Sequence, residues 1–195
     1  MTQDRAAVRA FFAERAAGWN AKFADDPPRY AAAIAELGPL DGAFVLDAGC
    51  GTGRALPLLR AAVGPTGRVV GVDLTPEMLA EATAHPGVDA LAVADCTRLP
   101  LPDAVADLVL AAGLLPNLPD PATGLREFAR ITRPGGRLAL YLPLSRTALA
   151  TRHGRDPATD PQSEALLRPL LTASGWHPVS HHDTDDHFLA VAVRA

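Results

Sequence analysis

The chain has 195 residues, enough for one domain with a substantial core, and its 48% hydrophobic and 21% charged content is that of an ordinary soluble globular protein. A formal net charge of −4 leaves no basic footprint for nucleic acid. No stretch approaches the roughly 18 consecutive apolar residues of a membrane helix, and the mixed-charge N-terminus lacks the apolar core of a signal peptide.

In chain order, residues 8–30 come first, with Phe11, Phe12, Trp19, Phe23 and Tyr30; the helical spacing of Phe12, Trp19 and Phe23 allows a packing stripe. A short apolar run at 43–46 reads as a strand, followed by the turn Leu46-Asp47-Ala48-Gly49-Cys50-Gly51-Thr52-Gly53-Arg54 and a helix carrying Ala55, Leu58, Leu59 and Ala62. The Gly64-Pro65-Thr66-Gly67 turn precedes a strand at Arg68–Asp73. Thr75-Pro76 is an N-cap with proline at the first helical position, and the helix continues over 77–84.

A third strand at 90–94 ends at Asp95, and a fourth at 106–111 is followed by a loop at 113–119. Asp120-Pro121 opens a helix with Leu125, Phe128, Ala129 and Ile131 at helical spacing, Arg133-Pro134-Gly135-Gly136 stops it, and 137–142 is the fifth strand. Strands alternating with helices imply βαβ units and a parallel sheet covered on both faces.

The end of the chain breaks this alternation. Glu164–Ala173 reads as a helix in which Pro169 should cause a kink or mark the true start. Strand-like stretches at 178–182 and 187–193 are separated only by a short turn around Thr184-Asp185-Asp186, a connection that joins antiparallel neighbours.

Strand, glycine turn and helix together build a ligand cradle from backbone N–H groups. The dinucleotide fingerprint G-x-G-x-x-G would need glycine where Arg54 stands. Here the pattern is G-x-G-x-G, with a carboxylate, Asp47, two positions ahead of it. That carboxylate suits a ligand bearing an ammonium group better than a pyrophosphate. The segment 45–54 resembles motif I of the class I S-adenosylmethionine-dependent methyltransferases. Further segments match that family: Asp73 closing the second strand, Val93-Ala94-Asp95-Cys96, Asp107-Leu108-Val109-Leu110-Ala111-Ala112, and the run from Leu125 through Pro134-Gly135-Gly136 to Leu138. The likeness covers about half the chain and is greatest to the small quinone-biosynthesis-like "methyltransferase type 11" subgroup.

The resemblance implies a doubly wound, Rossmann-like α/β fold with a seven-stranded sheet in the order 3-2-1-4-5-7-6 and strand 7 antiparallel. It divides a single domain, 1–195, into an N-terminal helical lid at 1–35, a cofactor-binding core at 43–142 and a C-terminal helix and hairpin at 160–195. S-Adenosyl-L-methionine is the implied cofactor and S-adenosyl-L-homocysteine the product. Asp47, Gly49, Cys50, Gly51 and Thr52 would form the cradle, and the Asp73 carboxylate would accept from both ribose hydroxyls. Leu74 and Met78 would pack on the adenine, and Met78 is equally at home in a core. Asp95 would accept from the adenine amino group, with the Cys96 N–H on a ring nitrogen. The carbonyl of Ala111 would receive the methionine ammonium group, and Trp19 in the lid would line the pocket.

Many relatives carry a histidine pair after the fourth strand, where this chain has Pro116-Asn117, so no catalytic residue is assigned. Asn117 is a candidate for orienting substrate. The short polar insertion at 145–160 leaves little room for a substrate domain. His177, His181, His182 and His187 crowd the C-terminal hairpin, but the adjacent His181 and His182 point to opposite faces of a strand, so no metal site is expected. Cys50 and Cys96 are too few for a disulfide framework and read as free thiols in a reducing cytosol. A single lysine, Lys22, against many arginines has the bias of a GC-rich bacterial genome. Three function classes follow: methyl transfer to a small-molecule acceptor by a cytoplasmic monomer or homodimer, a non-catalytic cofactor-binding relative acting as a partner or regulatory subunit, and a nicotinamide oxidoreductase, which Arg54 disfavours.

Overall fold

A computed structural model describes residues 4–85, 87–152, 154 and 156–195. Residues 1–3 of the expected lid and 153 and 155 of the expected insertion lie outside that set. Three helices open the chain, α1 (Arg5–Ala13), α2 (Ala16–Lys22) and α3 (Pro27–Glu36). The alternating core follows as β1 (Phe44–Ala48), α4 (Leu56–Val63), β2 (Arg68–Asp73), α5 (Pro76–Ala82), β3 (Ala90–Val93), β4 (Ala106–Ala112), α6 (Pro121–Ile131) and β5 (Thr132–Leu142). The chain ends with α7 (Arg146–Arg152), α8 (Glu164–Ala173), β6 (Trp176–Asp183) and β7 (Phe188–Arg194). The sheet order is β3-β2-β1-β4-β5-β7-β6. All pairings are parallel except those of β7, which runs antiparallel to both β5 and β6. The expected fold is therefore the observed one.

Strand alternation divides the core between the two faces of the sheet. Leu46, Val109, Leu138, Leu140 and Phe188 point to one side, with Phe128 and Trp176. The buried Trp176 indole N–H donates to the Leu125 carbonyl at 2.9 Å, so its polar edge carries no desolvation penalty. Val45, Leu108, Leu110, Ala139 and Tyr141 point to the other side, with Leu56 and Leu59 of α4 and Tyr30, Ala33 and Ile34 of α3. Asp47 lies on β1 in the same alternation as Val45, so its side chain shares the face covered by α3 and α4.

Two elements depart from the sequence reading. Pro134-Gly135-Gly136 does not separate α6 from the fifth strand. Instead β5 begins at Thr132, and the glycine turn bulges out between the Thr132 pairing with Ala106 and the Arg137 pairing with Leu108. Gly135, at φ +78°, supplies the left-handed residue that this bulge needs. Pro169 does not start α8, which begins at Glu164 and carries the proline inside it. Among the described residues, no helix is long and apolar enough to cross a membrane.

Candidate functional site

The carboxyl ends of β1, β2, β3 and β4 form one rim, where open α/β sheets bind ligands. After β1, Gly49, Gly51 and Gly53 take φ of +67°, +55° and +81°, which turns the chain sharply before α4. A side chain at Gly49 would strike Leu114, with 2.9 Å from a Cβ to Cδ1, and one at Gly53 would meet His85 at 2.8 Å. A Cβ at Gly51 would meet nothing within 4 Å. Two glycines thus serve packing within the loop, and Gly51 faces open space. The loop is tied down from β2, since Asp73 Oδ2 accepts from the Gly51 N–H at 2.9 Å and Oδ1 from the Thr75 N–H at 2.8 Å.

Asp47 is the anomaly of the rim. Only 2% of its surface is exposed, and its Oδ2 is buried without a hydrogen-bond partner. Burial first, and then the negative charge of Asp73, push its carboxyl up to about 7, while Arg54 pulls the other way. Burial also raises Asp73, against the hydrogen bonds it accepts from backbone N–H groups. The Cys50 and Cys96 thiols are buried and unbridged, and burial pushes both up, so they stay protonated and unreactive.

Around the rim, Leu74 is half-buried and Met78 is almost fully buried. Asp95 Oδ1 accepts from the Thr97 N–H and hydroxyl at 2.8 and 2.7 Å, and Oδ2 pairs with the Arg5 guanidinium at 3.0 Å. Ala111 is buried near the end of β4. The Gly113 N–H donates to the Tyr141 carbonyl on β5 at 2.8 Å. Across a trans peptide C=O and N–H point oppositely, so the Ala112 carbonyl turns away from β5. That makes Ala112 a second candidate acceptor beside Ala111.

The N-terminal helices reach the same rim, with α1 and α2 packed against α5 and α3 against α4. Trp19 is half-buried between Phe12 and Phe23, at ring-centroid distances of 5.5 and 4.9 Å. The spacing of these rings is the packing stripe of the sequence. Next to it, Asn20 Oδ1 accepts from the Thr52 hydroxyl at 2.5 Å. The Arg54 guanidinium pairs with the buried Asp26 carboxylate and stacks over the Phe23 and Tyr30 rings at 5.1 and 5.2 Å. Arg5, Asn20 and Asp26 were not singled out from sequence, and no local signal marks them, because Thr97, to which Arg5 also donates, Thr52 and Arg54 lie 92, 32 and 28 positions away from them.

Asn117 donates its side-chain amide to the Gly113 carbonyl at 2.8 Å, holding its own loop. On the hairpin, His181 Nε2 lies 2.9 Å from the Gln162 carbonyl, and His187 lies 3.5 Å from Glu36. Among the described residues, no group of His, Cys, Asp or Glu could hold a metal ion.

A methyltransferase-domain family model matches residues 46–140, from β1 to β5. Trans-aconitate 2-methyltransferase of an Azoarcus species is 44% identical over 124 residues, which is 63% of this chain and 48% of that protein, so the chain spans about half the length of this curated relative. A SAM-dependent methyltransferase of Aquifex aeolicus is 26% identical, with a TM-score of 0.68 over 83% of this chain and 87% of that one. A candidate methyltransferase of Haloferax volcanii, solved in complex with the Trm112 methyltransferase activator, is 25% identical, with a TM-score of 0.78 over 94% and 97% of the two chains. By its family match, its sheet order and the chemistry of its rim, the chain belongs to the class I S-adenosylmethionine-dependent methyltransferases.

Proposed function

We propose that this chain transfers a methyl group from S-adenosylmethionine to a small-molecule acceptor. One observation carries the reading: a buried carboxylate oxygen, Asp47 Oδ2, without a partner at the carboxyl end of β1. An unpaired buried carboxylate is costly, and an ammonium group placed against it would remove the cost. Three carboxylates, Asp47, Asp73 and Asp95, lie on one rim and suit a ligand of hydroxyl, amino and ammonium donors; they repel a pyrophosphate.

In this reading Asp47 and a carbonyl at the end of β4, Ala111 or Ala112, receive the methionine ammonium. Asp73 keeps its two backbone bonds and uses its remaining lone pairs for the ribose hydroxyls. Gly51 leaves the cradle open, with Gly49, Cys50 and Thr52 forming its walls. Leu74, Met78, Asp95 and the Cys96 N–H surround the adenine, and Trp19 with its neighbours covers the pocket.

The bound cofactor supplies an already activated sulfonium methyl, so the protein's task is positioning the acceptor in line, at about 3–3.5 Å. Tyr30 and Tyr141 stand on the α3 side of the sheet. Burial raises Tyr30 to about 12 and Tyr141 further, so both remain neutral phenols within the core and neither takes a proton from the acceptor.

The test is formation of S-adenosylhomocysteine from S-adenosylmethionine in the presence of small carboxylic acids and phenols, with trans-aconitate, named for the Azoarcus relative, as the first acceptor. Preferential binding of NADH would overturn the reading. The Haloferax complex supports a second reading, in which activity requires a protein partner; binding of S-adenosylhomocysteine without turnover on any acceptor would favour it.

A further inference from the structure

In the proposed pose the cofactor follows the order of the sheet: adenine beside Asp95 after β3, ribose at Asp73 ending β2, and the amino-acid end at Asp47 of β1 and the carbonyls ending β4. The next strand along is β5, where Tyr141 pairs with Ala112 of β4. The end of β5 therefore lies one strand spacing, about 4.8 Å, beyond the amino-acid end. The sulfonium joins ribose to the amino-acid side chain, and an acceptor approaching its methyl has this part of the rim left to it.

Arg29, in the first turn of α3, stands there. Its Nη1 donates to the Pro143 carbonyl just past β5 at 2.8 Å, and the neighbouring Tyr30 ring packs edge-on against Tyr141 of β5 at 4.9 Å. Among the described residues that is the one hydrogen bond the guanidinium makes, and the side chain is 47% exposed. Its Nη1 is 3.9 Å from Asp26 Oδ1, but Asp26 is already paired through Oδ2 with the Arg54 guanidinium. One carboxylate thus stands between two cations, and one positive charge remains uncompensated. Other arginines nearby are committed: Arg5 to Asp95 at 3.0 Å, and the nearly buried Arg146 between Asp183 at 3.3 Å and Asp160 at 3.9 Å. The cofactor side of the rim carries three carboxylates, and its far end carries a cation whose Nε–Nη2 edge matches the two oxygens of a carboxylate.

We propose that Arg29 is a specificity-determining residue that receives a carboxylate of the acceptor and so selects small carboxylic acids. The Pro143 contact fixes one arm of the guanidinium, and exposure leaves the other arm to the ligand. The inference rests on the methyl-transfer reading and narrows its acceptor class.

The experiment is calorimetric titration of the full chain, saturated with S-adenosylhomocysteine, with trans-aconitate, para-hydroxybenzoate and the uncharged para-hydroxybenzamide. Wild type should bind at least one of the acids, and should bind para-hydroxybenzoate more tightly than its amide. R29M, which keeps the apolar stem, should lose about 10- to 150-fold for the acid that wild type binds, the range for one charged hydrogen-bonding partner, and R29E should lose more. R29K, which keeps the charge without the fork, should fall between wild type and R29M. The amide, and S-adenosylhomocysteine itself, should bind all four proteins alike. Where an acid is methylated, the loss should appear in KM with kcat little changed. Wild type that binds neither acid, or R29M that keeps the acid, overturns the proposal. Equal losses for acid and amide overturn it too, and would show that Arg29 only secures the end of β5. If S-adenosylhomocysteine does not bind wild type, it is the cofactor reading itself that falls.

Discussion

Replacing Asp47 with asparagine should stabilise the free protein and at the same time destroy its ligand affinity. The buried carboxyl is raised from its ordinary value of 3.8 to about 7. For an acid raised on folding, the native state binds its proton more tightly than the unfolded chain. Stability is therefore highest below the ordinary value and is lost as pH rises from about 4 through 7. At about 1.4 kcal/mol per unit, the shift sets a ceiling of about 4 kcal/mol. Asparagine has no charge to bury but adds an N–H₂ that needs partners, so a gain of about 1–3 kcal/mol at pH 8 is expected. For a chain of this length that is about 3–9 °C in melting temperature. The gain should vanish by pH 4, where the wild-type carboxyl is protonated. Affinity for S-adenosylhomocysteine should fall by about 1.5–3 kcal/mol, or roughly 10- to 150-fold, through loss of a charged hydrogen bond. Melting curves across pH with calorimetry at pH 8 decide the matter. A variant that melts below wild type at pH 8, or binds within threefold of it, refutes the argument.

Asp73→Ala removes the acceptor for the Gly51 and Thr75 N–H groups as well as the expected ribose contacts. Calorimetry should show a roughly 30- to 150-fold loss for S-adenosylhomocysteine, together with a melting temperature lowered by a few degrees. Gly51→Val places a β-branched residue at φ +55° and fills the open side of the cradle. Binding should be abolished while unfolding, followed by circular dichroism, stays cooperative; normal binding would mean the glycine serves the turn alone. For the N-terminal segment, hydrogen exchange of amides around Trp19 and Asn20 should slow on adding S-adenosylhomocysteine, since Asn20 contacts Thr52 of the cradle. Protection confined to the loops after β1 and β2 would reduce that segment to packing.

Much of this protein is determined by short stretches of sequence, because the interactions concerned are local. The glycines after β1 impose a turn wherever they are placed, since φ values of +55° to +81° are open to glycine and costly for other residues. The brief connection between β6 and β7 permits only an antiparallel pair. Asp73 ends β2 and caps the Thr75 N–H two residues on. What the tertiary structure decided depends on partners far away in the chain. The stop signals in Pro134-Gly135-Gly136 are genuine, yet pairing with β4 resumes on both sides of them, so the strand absorbs the turn as a bulge. Pro169 is carried within α8, whose Leu167 and Leu171 are buried in the core. The Arg54 side chain was legible only as the residue that excludes a dinucleotide loop. Its pairing with Asp26 and its stacking on Tyr30 arise because α3 is folded over the end of β1. The cost of the Asp47 carboxylate has the same origin: its identity is in the sequence, but desolvation comes from what both neighbouring strands and the covering helices remove from its surroundings, and only the assembled fold sets that.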